Sequence, residues 1–234
     1  MREIRSRLLL GDEVMARLKE VRVIIFGTGG VGSWCAEALV RTGLRHLTIV
    51  DSDRVAESNC NRQLMATAKT VGAIKVEVLR QRLLDISPEA DIRALALRYT
   101  EETAGQFRLE DFDYVVDCID SVRDKADLIL RTTGSTGAKL FCSMGAALRT
   151  DPTQVRTAEF WRVKGDALAR ALRNRFKKES RFPGRKFRCV YSEETPLHNL
   201  FEAEDDRGNG SLMTVTATFG MALASLVVND LRKL

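Results

Sequence analysis

The sequence predicts an α/β fold in which a mostly parallel, Rossmann-like sheet is flanked by helices and followed by a C-terminal extension of mixed strands and helix. The apolar run Val21–Phe26 predicts a buried strand, and a glycine-rich turn and a helical pattern at Trp34–Val40 follow it at once. A second strand, His46–Val50, ends at Asp51, about 20 residues after the glycines, where nucleotide-binding folds carry a ribose-binding acid. Strands and helices alternate further along the chain, which favours a parallel sheet.

Length and composition are compatible with one domain. The chain has 234 residues, of which 44% are hydrophobic, enough to bury a full core. We expect a single domain over residues 1–234, made of an N-terminal helix (1–20), a Rossmann-like nucleotide-binding part (21–145) and a substrate-side extension (146–234). The net charge of +5 permits an acidic partner without identifying one.

The remaining elements follow from hydrophobic periodicity and from turn residues. Ser121 is a candidate N-cap for one of the helices. The predicted helices are 1–20, Gly72–Leu84, Ser121–Arg131, Asp166–Lys178 and 218–232. The predicted strands after the second are Ile92–Leu97, Tyr114–Asp117, Lys139–Ser143, Gln154–Trp161 and Arg188–Tyr191.

Two segments near the C-terminus are unusual. Glu202–Gly210 is polar and is expected to be a mobile loop. Ser211–Val228 carries no charge and is nearly long enough to span a membrane, but its threonines, serines and glycine keep its hydropathy modest. We therefore expect a buried strand-to-helix segment and no stable membrane span.

The glycine turn is built to hold a phosphate. Gly27 permits a sharp turn, Gly29 lets the backbone approach an anion, and Gly32 allows the helix to pack close to the strand. Gly30 completes the turn, and the following helix offers free N–H groups at its N-terminus. The alternative is a tight turn in a fold that binds no nucleotide.

Polar residues should gather at the carboxyl ends of the strands, beside this turn. Arg62 and Lys75 suit phosphates beyond the first, and Asp120 suits Mg²⁺ held against them. This combination favours ATP over NAD, because an enzyme that transfers hydride from NAD would not use Arg62, Lys75 or Asp120. The candidate nucleotide-binding residues are Gly27, Gly29, Gly30, Gly32, Asp51, Asp53, Asn59, Arg62, Gln63 and Lys75.

These motifs closely resemble those of the ubiquitin-activating-like adenylyltransferases, a superfamily that includes ThiF, MoeB and HesA. The resemblance is carried by Gly27-x-Gly29-Gly30-Val-Gly32-Ser33, Asp51-x-Asp53, Asn59-x-x-Arg62-Gln63, Val71-Gly72-x-x-Lys75 and Asp117-Cys-x-Asp120-Ser121. Within the superfamily, later segments resemble the tRNA threonylcarbamoyladenosine dehydratases. Those segments are Arg41-Thr-Gly43, Asp120-Ser-Val-Arg123-x-Lys125, Asp151-Pro-Thr-Gln154, Cys189-Val-Tyr-Ser192-Glu193 and Met213-Thr-Val-Thr-Ala-Thr-Phe-Gly220.

The resemblance implies roles for single residues. Asp51 would bind the ribose, and Asp120 would bind Mg²⁺. The ATP phosphates would be gripped by Asn59, Arg62 and Lys75. The family also uses an N-terminal arginine that reaches into the partner subunit of a homodimer, and Arg5 is the best-placed match, with Arg2 and Arg7 nearby. The catalytic set is therefore Arg5, Arg62, Lys75 and Asp120.

The function that the resemblance implies is an ATP-dependent dehydratase. Such an enzyme activates the carboxylate of threonylcarbamoyladenosine beside the tRNA anticodon, by adenylation, to form a cyclic derivative, and its family suggests sulfur-relay partners. The alternative is an adenylyltransferase for the C-terminus of a ubiquitin-like or sulfur-carrier protein. The chain lacks the paired zinc cysteines of sulfur-carrier activators, which favours the dehydratase branch.

A basic segment favours tRNA as the partner. Nine cations lie between Arg170 and Arg188, opposed only by Glu179. Such a segment fits a phosphate backbone, and a solvated helix face is the alternative. Arg181, Arg185 and Lys186 are the candidate RNA contacts, and Phe182 or Phe187 are candidates to stack on a base.

The five cysteines are odd in number, form no CxxC pair and lie mostly in apolar segments, which suits a reducing cytoplasm. The charged N-terminus gives no sign of a signal peptide, so we expect a cytoplasmic protein. Cys189 lies roughly where some relatives carry a nucleophilic cysteine, but a buried strand thiol is the simpler interpretation.

Overall fold

The computed structural model describes residues 2–201 and 208–233. Its strands are β1 (Arg22–Phe26), β2 (His46–Val50), β3 (Asp91–Leu95), β4 (Tyr114–Asp117), β5 (Lys139–Ser143), β6 (Val155–Glu159) and β7 (Arg188–Ser192). Its helices are α1 (Ile4–Glu20), α2 (Gly32–Thr42), α3 (Lys75–Ile86), α4 (Val122–Ser135), α5 (Ala167–Lys178) and α6 (Met213–Leu231). Short 3₁₀ turns connect several of these elements.

The seven strands form one sheet in the order β3-β2-β1-β4-β5-β7-β6. All neighbours pair in parallel except β6, which is antiparallel to β7. The mostly parallel Rossmann-like fold is thus confirmed, and the extension adds its two strands to the same sheet. The strand order reverses between β1 and β4, and open α/β sheets bind ligands in the crevice at such a point.

Alternation along the strands gives the sheet two buried faces. Val23 and Ile25 of β1 belong to a core shared with α1, α2, α3 and α6, whereas Ile24 and Phe26 belong to a core shared with α4 and α5. Side chains of a strand alternate between the faces, so a continuous apolar run such as β1 needs helices on both sides.

The strand expected at the start of the Ser211–Val228 segment is wrong. Helix α6 begins at Met213, five residues before the predicted start at 218. The β-branched run there favours a strand by propensity, but packing decides the outcome. A Cβ built on Gly220 would lie 2.5 Å from the carbonyl oxygen of Val31, so this glycine lets α6 approach the start of α2 closely.

Helix α6 is long and apolar enough to cross a membrane by length and composition alone, with a mean hydropathy of 1.3. Its inner side is part of the protein core, where Val215, Phe219, Leu223 and Val227 are fully buried. This packing agrees with the expectation of a buried segment rather than a membrane span.

Other boundaries move by a few residues. The predicted N-terminal helix is kinked at Gly11, whose φ of 78° lies outside the helical region. Helix α3 begins at Lys75 rather than at Gly72, and the strand expected at Gln154–Trp161 is limited to β6, with 3₁₀ turns at both ends. The loop predicted at Glu202–Gly210 lies mostly outside the described residues, because 202–207 are not among them.

Candidate functional site

The glycine turn follows β1 and leads directly into α2. Gly27 has a φ of 85°, which favours glycine, and a Cβ there would lie 2.8 Å from the carbonyl oxygen of Cys118. A Cβ on Gly32 would lie only 1.9 Å from the carbonyl oxygen of Gly27. Gly29 and Gly30 line the cleft beside the turn. The turn therefore has the tight geometry that the sequence predicted.

Asp51 is fixed at the end of β2 by three donors. Its Oδ2 accepts hydrogen bonds from the backbone N–H and the hydroxyl of Thr28, at 2.7 and 3.1 Å, and its Oδ1 accepts one from the N–H of Asp53 at 2.9 Å. The carboxylate is thereby joined to the glycine turn and lines the cleft. At this position the carboxylate could accept hydrogen bonds from the hydroxyl groups of a ribose.

Lys75 forms an ion pair at the start of α3. Its Nζ lies 2.9 Å from Oδ2 of Asp53, and the lysine side chain is 7% exposed whereas that of Asp53 is 64% exposed. The backbone repeats the link, since the N–H of Lys75 donates to the carbonyl oxygen of Asp53 at 3.0 Å. A buried ammonium held in one direction is preorganised to receive an anion from the cleft.

The segment after β2 brings three predicted residues to the same wall. Asn59 is buried, and its Oδ1 accepts from the N–H of Ala56 at 3.1 Å, which fixes the turn. Arg62 donates to the carbonyl oxygen of Ser58 and lines the cleft. Within the described part of the chain, Oε1 of the buried Gln63 has no hydrogen-bond partner. A ligand donor would satisfy that atom.

Asp120 is exposed in the cleft, and a buried ion pair supports the turn that carries it. Nζ of Lys125 lies 2.9 Å from Oδ1 of Asp117 and donates to the carbonyl oxygen of Ile119 at 2.9 Å. Burial raises the pKa of the Asp117 carboxyl. Burial alone would lower the pKa of Lys125, but the Asp117 carboxylate raises it above its usual value. Asp117 thus has a structural role.

One cleft of about 1850 Å³ joins these residues to the extension. It reaches from the glycine turn to Arg149 and to the first turn of α5, with Asp166 on its wall. Neither residue is a candidate from the sequence. Asp166 predicts only the start of a helix, and the sole sequence signal for Arg149 is that it stands two residues before Asp151-Pro152, a pair typical of a turn.

Arg5 is exposed on α1 and is not among the described residues that line the cleft of its own chain. Close to it on the same helix, Leu8 and Leu9 are 71% and 82% exposed. Large apolar side chains at such exposure are typical of a surface that a partner covers. The structure of one chain therefore leaves Arg5 outside the site that contains Arg62, Lys75 and Asp120.

The basic segment separates into two groups. Several of its arginines are engaged within the chain: Arg173 donates to two carbonyl oxygens, Arg175 pairs with Glu179, and Arg188 donates to a hydroxyl. Five exposed cations have no side-chain partner among the described residues; we call them the free basic surface. They are Arg170, Lys177, Lys178, Arg181 and Lys186.

Arg185 and Phe187, two residues singled out in this segment, are engaged within the chain. The guanidinium of the exposed Arg185 donates to carbonyl oxygens at the end of α4 and just beyond it, including those of Thr132 at 2.7 Å and Thr136 at 2.6 Å, so it helps to hold that end of the helix. It satisfies the carbonyls that every helix end leaves free. Phe187 is 5% exposed and stacks on Phe160, so it is closed to a base.

The thiols offer no reactive nucleophile in the core of the sheet. Cys189 is fully buried, and burial raises the pKa of its thiol well above the usual value. All five cysteines are free, and of them only Cys60 is exposed. No group of three metal-ligating side chains occurs among the described residues.

Comparisons with known proteins agree with this geometry. The ThiF family model matches residues 2–234. A tRNA threonylcarbamoyladenosine dehydratase of Bacillus subtilis is 35% identical over 241 residues, covering 98% of this chain and 94% of that protein. The protein of the same name from Haemophilus influenzae is 34% identical over 241 residues, covering 96% of this chain and 91% of the relative.

A solved structure shows the same fold with a nucleotide bound. The crystal structure of Escherichia coli tRNA N6-threonylcarbamoyladenosine dehydratase in complex with ATP superposes with a TM-score of 0.89 at 32% sequence identity. The superposition covers 98% of this chain and 93% of the Escherichia coli chain. The similarity therefore includes both the nucleotide-binding part and the extension.

Proposed function

Because this chain belongs to the ThiF family, we propose that it is an ATP-dependent tRNA-modifying enzyme that dehydrates threonylcarbamoyladenosine to a cyclic derivative. One observation carries the proposal. The similarity to proteins named as that dehydratase runs through 98% of the chain and includes the substrate-side extension. A nucleotide-binding half shared with many other enzymes would not distinguish between substrates.

ATP fits the cleft as the activating substrate. The glycine turn and the N-terminus of α2 receive phosphate oxygens, and Asp51 accepts from the ribose. Beside the turn, Arg62 and the buried Lys75 neutralise phosphate charge, while Asn59 and Gln63 shape the pocket. The unpartnered Oε1 of Gln63 supports a ligand at this wall.

Mg²⁺ fits the same site as a companion of ATP. Magnesium in such sites is held by one or two carboxylates together with substrate phosphates and water. Asp120 is an exposed carboxylate in the cleft and would hold the ion against the phosphates. The bound ion would supply positive charge to the departing pyrophosphate.

The chemistry makes a poor electrophile reactive. A carboxylate oxygen of the substrate attacks the α-phosphorus, the bond from that phosphorus to its bridging oxygen breaks, and pyrophosphate leaves with the electron pair. A nucleophile in the same threonylcarbamoyl group then attacks the acyl carbon, and AMP leaves with the former carboxylate oxygen. The nucleophile's proton passes to solvent, so the substrate has lost one water. Positioning and charge neutralisation suffice for both steps.

We further propose a homodimer in which Arg5 of one chain serves the cleft of the other. The support is that Arg5 does not line the cleft of its own chain and that it lies beside the exposed Leu8 and Leu9. A cation supplied across an interface would add to Arg62 and Lys75 at the phosphates.

The free basic surface supports tRNA as the partner. Phosphate contacts by exposed cations provide sequence-independent affinity, and an exposed aromatic pair lies in the same region. The rings of Trp161 and Phe182 are 6.3 Å apart, and the side chains are 42% and 54% exposed. Aromatic rings of this kind stack on unpaired bases of RNA loops, such as the anticodon loop.

The cysteines fit a cytoplasmic location. All five are free thiols, and free thiols persist in a reducing compartment.

The alternative function is adenylation of a ubiquitin-like or sulfur-carrier protein. A sulfur carrier protein adenylyltransferase of Thermus thermophilus is 36% identical to this chain, but over only 112 residues, or 48% of the chain. That similarity covers about half of the chain, whereas the similarity to the dehydratases covers nearly all of it. Sulfur-relay partners remain a prediction from the family resemblance.

The experiment that tests the function compares substrates for pyrophosphate release from ATP. We expect release with tRNA that carries threonylcarbamoyladenosine and background release with the same tRNA lacking the modification. A small ubiquitin-like protein with a free C-terminus is the third substrate. Release with that protein alone would replace the proposed function with the alternative.

A further inference from the structure

We propose that Arg149 binds the carboxylate of the substrate and holds it at the wall of the cleft that faces the nucleotide. This inference rests on the proposed function, since it assigns a residue to the group that is activated. It concerns a side chain in the extension, away from the residues that hold ATP.

The strand order puts Arg149 on the correct side. It follows β5, which pairs with β4, and β4 pairs with β1, from which the glycine turn leads. Neighbouring strands lie about 4.8 Å apart, so the end of β5 is roughly 10 Å from that of β1. Asp51, at the end of β2, lies on the far side of the turn. The ribose and the carboxylate would thus flank the phosphates from opposite sides.

The guanidinium of Arg149 is buried, and two of its nitrogen atoms make no hydrogen bond to the described residues. The residue is 3% exposed and lines the cleft. Its Nη1 donates to the carbonyl oxygen of Gly145 at 3.2 Å, and its Nη2 lies 3.5 Å from Oδ2 of Asp166. Among the described residues, neither Nε nor Nη2 has a hydrogen-bond partner. Buried polar groups are almost always satisfied, so an acceptor is missing from this site.

The neighbouring carboxylate does not fill that need. Asp166 accepts from the N–H of Ala169 at 2.8 Å and from the N–H of Gly145 at 3.0 Å, and the carboxylate held in this way lies 3.5 Å from Nη2 without a hydrogen bond to it. It caps α5, whose first residues Ala167 and Leu168 line the cleft. The positive end of this helix offsets part of the Asp166 charge. An incoming anion would therefore meet a net favourable site.

The backbone holds Arg149 in place. Leu148, just before it, has a φ of 60°, which is unusual for a residue with a branched side chain. Its N–H donates to the carbonyl oxygen of Gly210 at 2.8 Å, and its carbonyl oxygen accepts from the N–H of Leu197 at 2.7 Å. Strained conformations that are held on both sides recur at ligand sites.

A carboxylate is the ligand that this geometry suits. Arginine carries donors only, and Nε with Nη2 presents two parallel N–H groups that match the two oxygens of a carboxylate. The cations placed for the phosphates are Arg62, in the segment after β2, and Lys75, the first residue of α3. Arg149 is thus available to bind the substrate carboxylate, which is the second anionic group in the reaction.

The test uses the full-length protein with Arg149→Gln and Arg149→Lys, and Arg156→Gln as the matched control. Arg156 is an exposed arginine on β6 whose Nε lies 3.7 Å from Glu193. We expect Arg149→Gln to raise the KM for threonylcarbamoyladenosine-containing tRNA by roughly tenfold or more, the loss expected for a charge-assisted hydrogen bond. Arg149→Lys should restore part of that loss, and ATP affinity should stay within about twofold.

A second measurement does not depend on the folding of a variant. Wild-type protein should bind the nucleoside threonylcarbamoyladenosine at least tenfold more tightly than the same nucleoside with the carboxylate converted to an amide. Equal binding of acid and amide would overturn the inference. An unchanged KM in a folded Arg149→Gln protein would do the same, and a loss of ATP affinity alone would make Arg149 a phosphate ligand. Failure of the wild-type protein to act on modified tRNA would instead refute the proposed function.

Discussion

The ammonium of Lys75 lies 2.9 Å from the carboxylate of Asp53, and the pair joins a buried cation to an exposed anion at the edge of the cleft. The exposed partner lets water screen the pair, so the contact itself contributes little to stability. Its consequence is directional, because the aspartate keeps the ammonium at the nucleotide wall before ATP arrives.

This pair predicts different behaviour for two variants. Lys75→Ala should lower turnover roughly 10²-fold, the usual loss when a preorganised charge at a developing anion is removed. Asp53→Asn should retain more activity, and ATP should raise its Tm more than that of the wild type, because phosphate then provides the anion that Lys75 lacks. Steady-state rates and thermal unfolding measure both effects. Lys69→Ala, an exposed control, should match the wild type; equal rates in Lys75→Ala would mean that the site is misplaced.

The ion pair also shows what the sequence could predict. Spacing placed Asp53 and Lys75 at one sheet edge, because parallel strands end together and the intervening segment is short. Pattern alone could not show that they contact each other. The same limit explains Arg185: its position in a basic run suggested RNA, whereas its contacts depend on how the end of α4 packs.

Two other differences have the same physical origin. The start of α6 could not be located from propensity, because the close contact between Gly220 and α2 is made by residues about 190 positions apart. Arg149 carries no sequence signal for burial, since a single arginine beside a turn is usually solvated. Local patterns predict elements, and tertiary contacts decide which polar groups lose water.

Asp120 is predicted to hold Mg²⁺. Asp120→Asn should lower turnover roughly 10²-fold and shift the Mg²⁺ dependence to higher concentration, because an amide is a weaker ligand than a carboxylate. A titration of rate against Mg²⁺ at saturating ATP measures the shift. Asp113→Asn, at the opposite end of β4, is the control. An unchanged Mg²⁺ titration would exclude Asp120 from the metal site.

Arg5 is predicted to act across a homodimer. Arg5→Ala and Lys75→Ala proteins should each lose most of their activity, but a mixture should regain part of it, because one cleft of each mixed dimer would contain both cations. Sedimentation measures the assembly, and rates after subunit exchange measure the rescue. A monomer at the assay concentration, or no rescue after proven exchange, would contradict the proposal.

The free basic surface is predicted to bind the tRNA backbone. Log affinity should fall linearly with log salt, and replacing Lys177, Arg181 and Lys186 with Ala should weaken binding and flatten that slope by about 3. ATP affinity should not change. Arg185→Ala should instead lower the Tm while leaving the salt slope of the folded protein intact, because its donors hold helix carbonyls. An unchanged salt slope in the triple variant would show that the free basic surface is solvated and does not bind the tRNA backbone.

The central claim is tested most directly by mass spectrometry of the modified nucleoside. Purified protein is incubated with threonylcarbamoyladenosine-containing tRNA, ATP and Mg²⁺, and the tRNA is then digested under conditions that preserve the ring. We predict that the nucleoside loses the mass of one water, only when ATP is present, and that AMP and pyrophosphate appear in equal amounts. An unchanged nucleoside mass, together with an acyl-adenylate on the C-terminus of a carrier protein, would contradict the account.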